Sequence, residues 1–168
     1  MFVVILGIDP GLAIVGYGVI DYKAPNFRTI SFGAIRTEAG VPVNKRIATV
    51  YEDVKTVIER YHPDVIAVEE LFFNTNQKTA IQVAMARGAI ILAAEHCKVE
   101  CREYTPLQVK QSVVGFGRAE KNQVIHMVRS MLNLGAELKL DDTADALAIA
   151  ICHAHTAGSR LSPYFNRK

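Results

Sequence analysis

The pattern of hydrophobic and polar positions predicts three strands in the first part of the chain. Residues 2–8 form an unbroken, β-branched apolar run that ends at Asp9, before a Pro-Gly pair, which indicates a buried strand followed by a turn. Residues 15–21 and 29–36 are two further strand-like runs joined by a polar loop. Their close spacing along the chain favours an antiparallel meander of all three strands.

Beyond this meander, the pattern alternates between helix and strand. Apolar residues recur at helical spacing over 44–61, and Pro63 ends that helix. Short strands are predicted at 64–68 and 99–104, on either side of a long helix over 75–97 that is apolar nearly all round. Three more helices are predicted towards the end of the chain, one that opens at Pro106, one over 120–132 and one over 142–155.

This order of elements predicts an α/β fold. Three antiparallel strands followed by strand–helix alternation give a mixed five-stranded sheet with helices on both faces. The length of 168 residues suits one domain with a substantial core and is short for two. We expect that single domain to span residues 1–158 and residues 159–168 to form a flexible tail. In such sheets, binding and catalysis gather at the carboxyl ends of neighbouring strands.

Composition narrows the class of protein. Half of the residues are hydrophobic and 21% are charged, which is typical of a globular chain and not of a disordered one. The net charge of +2 is too small to identify a nucleic-acid binder, although the basic excess within residues 98–130 fits a phosphate-binding surface about as well as a solvated face. Three cysteines without framework spacing, no signal peptide and no bilayer-spanning run favour a cytoplasmic protein without a membrane partner.

Acidic residues stand at the ends of otherwise apolar segments. Asp9 could be an ordinary turn aspartate that accepts backbone N–H bonds. Glu69 and Glu70 end the fourth strand, and alternation sends them to opposite faces without saying which one faces a site. Asp142 and Asp145 share one face of a first helical turn, where capping and the helix dipole also stabilise acids. Asp145 fits that explanation poorly, because the helix around it is apolar on all sides and a buried carboxylate needs a cation.

Together, these acids favour a divalent metal site. Carboxylates brought together from two strands and a helix end repel one another, and one or two cations make such a cluster tolerable. Oxygen ligands without paired His or Cys favour Mg²⁺, with Mn²⁺ as the expected substitute, over Zn²⁺. Two such ions about 4 Å apart can activate a water and stabilise the leaving oxygen of a phosphodiester. The expected ligands are the four segment-end acids Asp9, Glu69, Asp142 and Asp145.

Other candidates have an equally simple structural explanation. Phe72 follows the acidic strand end and could pack under the next helix, or, if exposed, stack on or wedge between unpaired bases. Lys110 and Lys121, taken alone, would be solvated charges. The segment 80–94 is too apolar for an exposed helix face. It is either a core helix or half of a two-fold interface, and we expect its opposite faces to serve both purposes.

The chain also carries a series of motifs in a fixed order. These are GIDPG at 7–11, GYGVI at 16–20, VE at 68–69 with Phe72, QVAMARG at 82–88, QVKQSVVG at 108–115, AEK at 119–121 and DTADALAIAI at 142–151. The ordered set resembles the RuvC family of Holliday-junction resolvases. The resemblance implies a ribonuclease-H-like fold, a homodimer, branch-migration partners, and paired, symmetric, metal-dependent cuts in four-way DNA junctions during recombination and repair.

The resemblance also implies roles for individual residues. Carried over by position, the catalytic and metal-binding acids are Asp9, Glu69, Asp142 and Asp145, which selects Glu69 over its neighbour Glu70. Lys110 and Lys121 match lysines near the scissile phosphate, and Phe72 matches an aromatic residue beside the opened bases of the junction. Glu70 and Asp141 are additional acids relative to the family pattern, and some members carry His at the position of Asp142.

Three other functions are weaker interpretations of the same sequence. A monomeric nuclease of this fold that cuts RNA–DNA hybrids would leave the apolar helix over 80–94 exposed as a patch. An actin-like or sugar-kinase-like ATPase shares the first Gly-x-Asp-x-Gly loop, but it needs two such halves and a glycine-rich adenosine site, for which this chain is too short. A module that only binds junctions would gain affinity for phosphates by losing the four acids.

Overall fold

A computed structural model of the chain describes residues 2–70, 77–135 and 141–157. The strands are β1 (Val3–Asp9), β2 (Ile14–Lys23), β3 (Asn26–Arg36), β4 (Val65–Glu69) and β5 (Glu100–Tyr104). The helices are α1 (Val43–Tyr61), α2 (Gln77–His96), α3 (Pro106–Val114), α4 (Lys121–Leu132) and α5 (Asp141–Ala157). The predicted tail over 159–168 lies outside the described residues, so it stays a prediction, as does the single domain over 1–158.

The five strands form one mixed sheet in the order β3-β2-β1-β4-β5. The first three strands are antiparallel neighbours, whereas β4 runs parallel to β1 and β5 runs parallel to β4. The predicted mixed five-stranded sheet is therefore confirmed. Ile8 pairs with Val68, so the carboxyl ends of β1 and β4 lie side by side at one edge of the sheet. That edge is where the sequence predicts the chemistry.

Helices cover both faces of the sheet, as predicted. Alternate residues of each strand enter two separate apolar clusters. Leu6 and Val68 belong to the cluster formed with α1 and α2, whereas Ile5 and Ala67 belong to the cluster formed with α3, α4 and α5. Fully burying a side chain of this size stabilises the fold by about 1.5–3 kcal/mol. The two clusters hold the sheet between two helical layers.

Helix α5 lies closer to the sheet than any bulky side chain would allow. A Cβ atom added to Gly7 of β1 would overlap the backbone of Ala146, and one added to Gly16 of β2 would overlap the carbonyl of Asp142. Gly16 is itself the cross-strand partner of Asp9. These close approaches place the first turn of α5 directly beside the carboxyl end of β1. Small residues in β1 and β2 therefore bring two acidic segments together that are far apart in sequence.

Helix α2 is apolar on two opposite sides. Ala86 and Ile90 are fully buried against the sheet, while Ile81, Met85 and Leu92 are 58%, 47% and 48% exposed. The expectation that one face of this helix belongs to the core is confirmed. Within the described ranges, no helix combines enough length with enough apolar character to cross a membrane.

Candidate active site

Acids from three different elements meet at the carboxyl edge of β1 and β4. Asp9 is the last residue of β1, Glu69 is the last residue of β4, and Asp142 and Asp145 lie in the first turn and a half of α5. Glu69 has the same strand parity as Val65 and Ala67, which pack in the α5 cluster. It therefore faces α5 and its acids. The structure makes the choice between neighbouring glutamates that alternation alone left open.

These carboxyl groups have pKa values that are raised by burial and by the charges of their acidic neighbours. Burial, together with the charges of Glu69, Asp145 and Asp142, raises the pKa of Asp9 from 3.8 to about 8, against the opposing charge of Lys121. Burial and the charge of Asp145 together raise the pKa of Glu69 from 4.5 to about 7, against the opposing charges of Lys110 and Lys121. The pKa of Asp145 is raised by burial as well. Such mutually raised values are typical of a cluster built to hold a cation.

Two lysines line the same cleft. A cavity of about 220 Å³ has Glu69, Asp145, Lys110 and Lys121 in its wall, together with apolar side chains of α3 and α4. The Nζ of Lys121 lies 3.1 Å from a carboxylate oxygen of Asp145 and 3.5 Å from one of Asp141. Burial alone would lower the pKa of Lys121, but the hydrogen bond to Asp145 and the charges of both acids raise it. Lys121 is therefore protonated at neutral pH.

Capping interactions fix the helix starts that carry these lysines. At the start of α3, the Thr105 side chain accepts from the Gln108 N–H at 3.1 Å, and the Gln108 side chain accepts from the Thr105 N–H at 2.8 Å. At the start of α4, the Gln123 side chain accepts from the Glu120 N–H at 2.8 Å. Reciprocal caps of this kind satisfy otherwise unpaired N–H groups and define where a helix begins. Lys121 is the first residue of α4, so this cap sets its position.

The donor set fits a hard divalent cation. Among the residues that the structure describes, no group of three or more His, Cys, Asp or Glu side chains is already drawn together around a point that a metal ion could occupy. The acids nevertheless lie close enough to raise one another's pKa, and their donors are all carboxylate oxygens. Mg²⁺ and Mn²⁺ prefer such oxygen ligands, and a cation would remove the repulsion among them. The residues present therefore fit a divalent metal.

The structure locates most of the residues that the sequence singled out. Asp9, Glu69 and Asp145 converge with both lysines, and Asp142 lies near enough to raise the pKa of Asp9 and Asp145. Phe72 lies outside the described residues. The ion pair between Asp141 and Lys121 was not anticipated. Its only signal in the sequence is the additional acid before the Asp142 motif.

The raised carboxyl pKa values predict how the metal-free protein responds to pH. A carboxyl with a higher pKa in the folded than in the unfolded state binds more protons when folded, so its contribution to stability is lost as pH rises. For Asp9 this loss runs from pH 3.8 to about 8. In EDTA at pH 8, Asp9→Asn should therefore exceed wild type in stability by at least about 1.4 kcal/mol, the equivalent of one pKa unit. Thermal and urea unfolding at pH 5 and pH 8 measure this difference.

The change of this stability difference with pH and with Mg²⁺ distinguishes an electrostatic effect of Asp9 from a general change in stability. The advantage of Asp9→Asn should shrink towards pH 5, where wild-type Asp9 is protonated in the folded protein. Mg²⁺ at pH 8 should stabilise the wild type more than the variant. Asp53→Asn, on the exposed surface of α1, serves as the control and should match wild type at both pH values. A wild type more stable than Asp9→Asn at pH 8 in EDTA would contradict the electrostatic description of the cluster.

Comparison with known proteins identifies the family. The family model described as crossover junction endodeoxyribonuclease RuvC matches residues 5–153. The chain belongs to the RuvC family. It is 54% identical over 153 residues to the crossover junction endodeoxyribonuclease RuvC of Alkaliphilus oremlandii (strain OhILAs), covering 91% of this chain and 93% of the relative. It is 55% identical over 153 residues to that of Clostridioides difficile (strain 630), covering 91% and 90%.

Solved structures of the RuvC family show the same fold. The chain is similar to Thermus thermophilus RuvC in complex with a Holliday junction substrate, with a TM-score of 0.88, 37% identity, and coverage of 92% of this chain and 94% of that one. The strand order and directions agree with a ribonuclease-H-like sheet. The predicted family and fold are confirmed, and so is the enzyme class, an endodeoxyribonuclease that hydrolyses phosphodiester bonds.

Proposed function

We propose that this chain resolves four-way (Holliday) DNA junctions by paired, symmetric, metal-dependent hydrolysis of phosphodiester bonds during recombination and repair. One observation carries the proposal: in a chain of the RuvC family, partly buried acids from β1, β4 and α5 cluster beside two lysines that line a cleft with Glu69 and Asp145. Named relatives are crossover junction endodeoxyribonucleases, and one is solved with a Holliday junction substrate. We assign this activity to a single nuclease domain over residues 1–158.

The acids are proposed as the ligands of the metal. Asp9, Glu69 and Asp145 each have a raised pKa, and the charge of Asp142 contributes to the rise for Asp9 and Asp145. We propose Mg²⁺ as the ion and Mn²⁺ as a substitute, because all donors are carboxylate oxygens. When bound, such an ion acts as a Lewis acid at the phosphodiester and activates a water. The chain itself supplies the fixed geometry, since α5 lies against β1 at Gly7 and against β2 at Gly16, with the backbones in close approach.

The lysines are proposed to neutralise charge on the phosphate that is cut. Lys110 and Lys121 line the cleft with Glu69 and Asp145, and the charges of both lysines oppose the rise in the pKa of Glu69. A protonated ammonium placed where charge develops stabilises the transition state more than the ground state. We propose Phe72 as a further contact with opened bases, on the family resemblance alone.

The exposed face of α2 supports a homodimer. Ile81, Met85, Gly88 and Leu92 are spaced by four, three and four residues and so form one stripe along the helix. A Cβ atom added to Gly88 would meet nothing within 4 Å, so the stripe is open at its centre. A second copy related by a two-fold axis would bury this stripe, and a two-fold dimer matches the approximate symmetry of a junction. We also expect branch-migration proteins to be partners, on the resemblance alone.

A charged substitution in this stripe should weaken the dimer, so that junctions receive single nicks instead of paired nicks. Met85→Glu is expected to raise the dimer dissociation constant by about 100-fold or more, because an unpaired charge buried in an interface costs about 3–5 kcal/mol. Light scattering after gel filtration measures the mass, and denaturing gels of a labelled junction distinguish single from paired nicks. Ile30→Glu, at an exposed apolar residue of β3, is the control and should stay dimeric. A dimeric Met85→Glu protein that still makes paired nicks would refute this interface.

A gel assay tests the proposed activity itself. A synthetic four-way junction, a linear duplex of the same sequence and an RNA–DNA hybrid are each incubated with the protein in Mg²⁺ and in EDTA. We expect paired, symmetric nicks in the junction alone, and only in Mg²⁺. Cutting confined to the hybrid would replace the proposal with a monomeric nuclease of the same fold. Binding to the junction without any cutting would show that the acids are not catalytic.

A further inference from the structure

Two large apolar side chains are exposed at the edge of the active-site cleft. Leu107, in the first turn of α3, is 54% exposed, and Phe116, in the turn between α3 and α4, is 47% exposed. Neither residue was singled out by the sequence patterns. Burying each in a contact would remove a substantial apolar area from water. Their position beside the cleft and their chemistry indicate which ligand this surface binds.

The turn between α3 and α4 folds back over the start of α3. The Gly115 N–H caps α3 by donating to the Gln111 carbonyl at 2.9 Å, and Gly115 has a left-handed φ of 91°. Two residues later, Gly117 lies so close to Leu107 that an added Cβ atom would overlap the leucine side chain. Phe116 is therefore one residue away from the point where this turn meets Leu107. We call these two side chains the rim pair.

The rim pair is continuous with the cleft. Pro106 and Lys110, on either side of Leu107 in α3, both line the cavity that contains Glu69 and Asp145. Residues three apart share a helix face, so Leu107 and Lys110 are neighbours on the surface. On the other side of the pair, Arg118 is exposed and precedes Lys121 by three residues. Apolar and cationic groups therefore alternate along the edge of the cleft.

This arrangement suits a nucleic-acid strand better than a second protein chain. Basic side chains follow a phosphate backbone, and an aromatic ring among them gives a base a surface to stack on. The proposed dimer cannot cover the rim pair through the α2 stripe, because α2 packs on one face of the sheet and α3 on the other. Acidic substrate and basic rim are also complementary in charge.

We propose that Phe116, supported by Leu107, stacks on an unstacked base of the junction beside the strand that is cut, while Arg118 contacts a neighbouring phosphate. This inference rests on the proposed function, because it assumes that the cleft binds a junction. It adds a contact surface from the α3–α4 turn to the acids and lysines of the cleft. Phe116 acts here in binding and positioning the DNA, not in the chemical step.

Salt-dependent binding separates the two kinds of contact. Full-length wild type, Phe116→Ala and Arg118→Ala are titrated with a labelled four-way junction in EDTA at several salt concentrations. Phe116→Ala should weaken binding about tenfold at every salt concentration and leave the salt slope unchanged, since stacking on a base releases no counterions. Arg118→Ala should reduce the slope of log K against log salt by about one. Phe116→Tyr, which keeps the ring, should bind like wild type.

The controls distinguish this inference from a general effect on the protein. Phe2→Ala removes a phenylalanine that is 58% exposed and lies just before β1, at the opposite end of that strand from Asp9, and should not change binding. Wild-type affinity in Phe116→Ala, equal losses in Phe2→Ala, or failure of Phe116→Tyr to bind would each overturn the inference. If wild type did not bind the junction, both the inference and the proposed function would fail. If wild type binds and Phe116→Ala binds equally, only the inference fails.

Abasic junctions identify the base involved. Bases near the branch point are removed one at a time, and the loss caused by Phe116→Ala is measured on each junction. If Phe116 stacks on one base, the loss should disappear when that base is absent, because the variant and the abasic site then remove the same contact. A loss that persists on every abasic junction would show that the ring contacts the backbone, which contradicts stacking.

Discussion

Asp9→Asn is expected to reduce junction cleavage by about 100- to 1000-fold or more, the size of effect seen when one preorganised electrostatic group is removed from an active site. The reason lies in the position of Asp9: its pKa is raised by burial and by Glu69, Asp145 and Asp142 together, so it lies within reach of all three. Junction binding in EDTA should be as tight as in wild type or tighter, because the substitution removes a negative charge near phosphate.

Single-turnover cleavage in Mg²⁺ and anisotropy binding in EDTA measure these two effects separately. Asp53→Asn, at an exposed position of α1 on the other face of the sheet, is the matched control and should behave like wild type in both assays. Cleavage by Asp9→Asn within a few-fold of wild type would remove Asp9 from the proposed ligand set. A parallel loss of binding and cleavage would indicate that the substitution disturbs the fold around β1.

Lys121→Ala should have the next largest effect, with cleavage about 100-fold slower and junction binding weakened by less than about fivefold. Lys121 lies 3.1 Å from Asp145 and borders the cavity shared with Glu69. A protonated ammonium at this place stabilises charge that develops only during the cut, so its loss should appear in the rate and not in the affinity. The same single-turnover and anisotropy assays provide both numbers.

Two variants make this result interpretable. Lys45→Ala removes an exposed lysine of α1, on the opposite side of the sheet, and should change neither rate nor affinity. Lys121→Arg keeps the charge with a different shape and should recover part of the rate. Equal losses of binding and cleavage in Lys121→Ala would contradict a role in the transition state and make Lys121 an ordinary phosphate anchor.

The sequence predicts the sheet well because the strand signals are local. β-branched runs ended by turn residues identify the strands, and the order of elements along the chain is enough to predict a mixed sheet. The largest error at a described boundary is three residues: β3 is predicted over 29–36 and runs from Asn26 to Arg36. The family resemblance, resting on ordered motifs, is confirmed by the family match.

The parts of the site that the sequence could not predict depend on contacts between distant segments. Alternation does not say which of Glu69 and Glu70 faces the site. The family resemblance selects Glu69, and the packing of Ala67 in the α5 cluster gives the physical reason. Nothing local in the sequence indicates that the turn after α3 folds back onto Leu107. Gly16 has no side chain and therefore lets α5 approach β2, but in the sequence it looks like an ordinary strand glycine.

We propose that the four acids from β1, β4 and α5 form one divalent metal site. Titration with Mn²⁺, followed by electron paramagnetic resonance, measures this directly. The proteins compared are wild type, the control Glu70→Gln, and the four ligand variants Asp9→Asn, Glu69→Gln, Asp142→Asn and Asp145→Asn. Glu70→Gln is a demanding control, because it removes the same charge from the residue that directly follows β4, where alternation directs the side chain away from Glu69.

We predict saturable Mn²⁺ binding by wild type and by Glu70→Gln, with affinity at least about tenfold weaker in each ligand variant. Such a pattern requires that all four acids act on the same ion or ions. If wild type and the four ligand variants bound Mn²⁺ equally well, the proposed metal site would be wrong. The acids would then meet at this edge of the sheet without holding a metal.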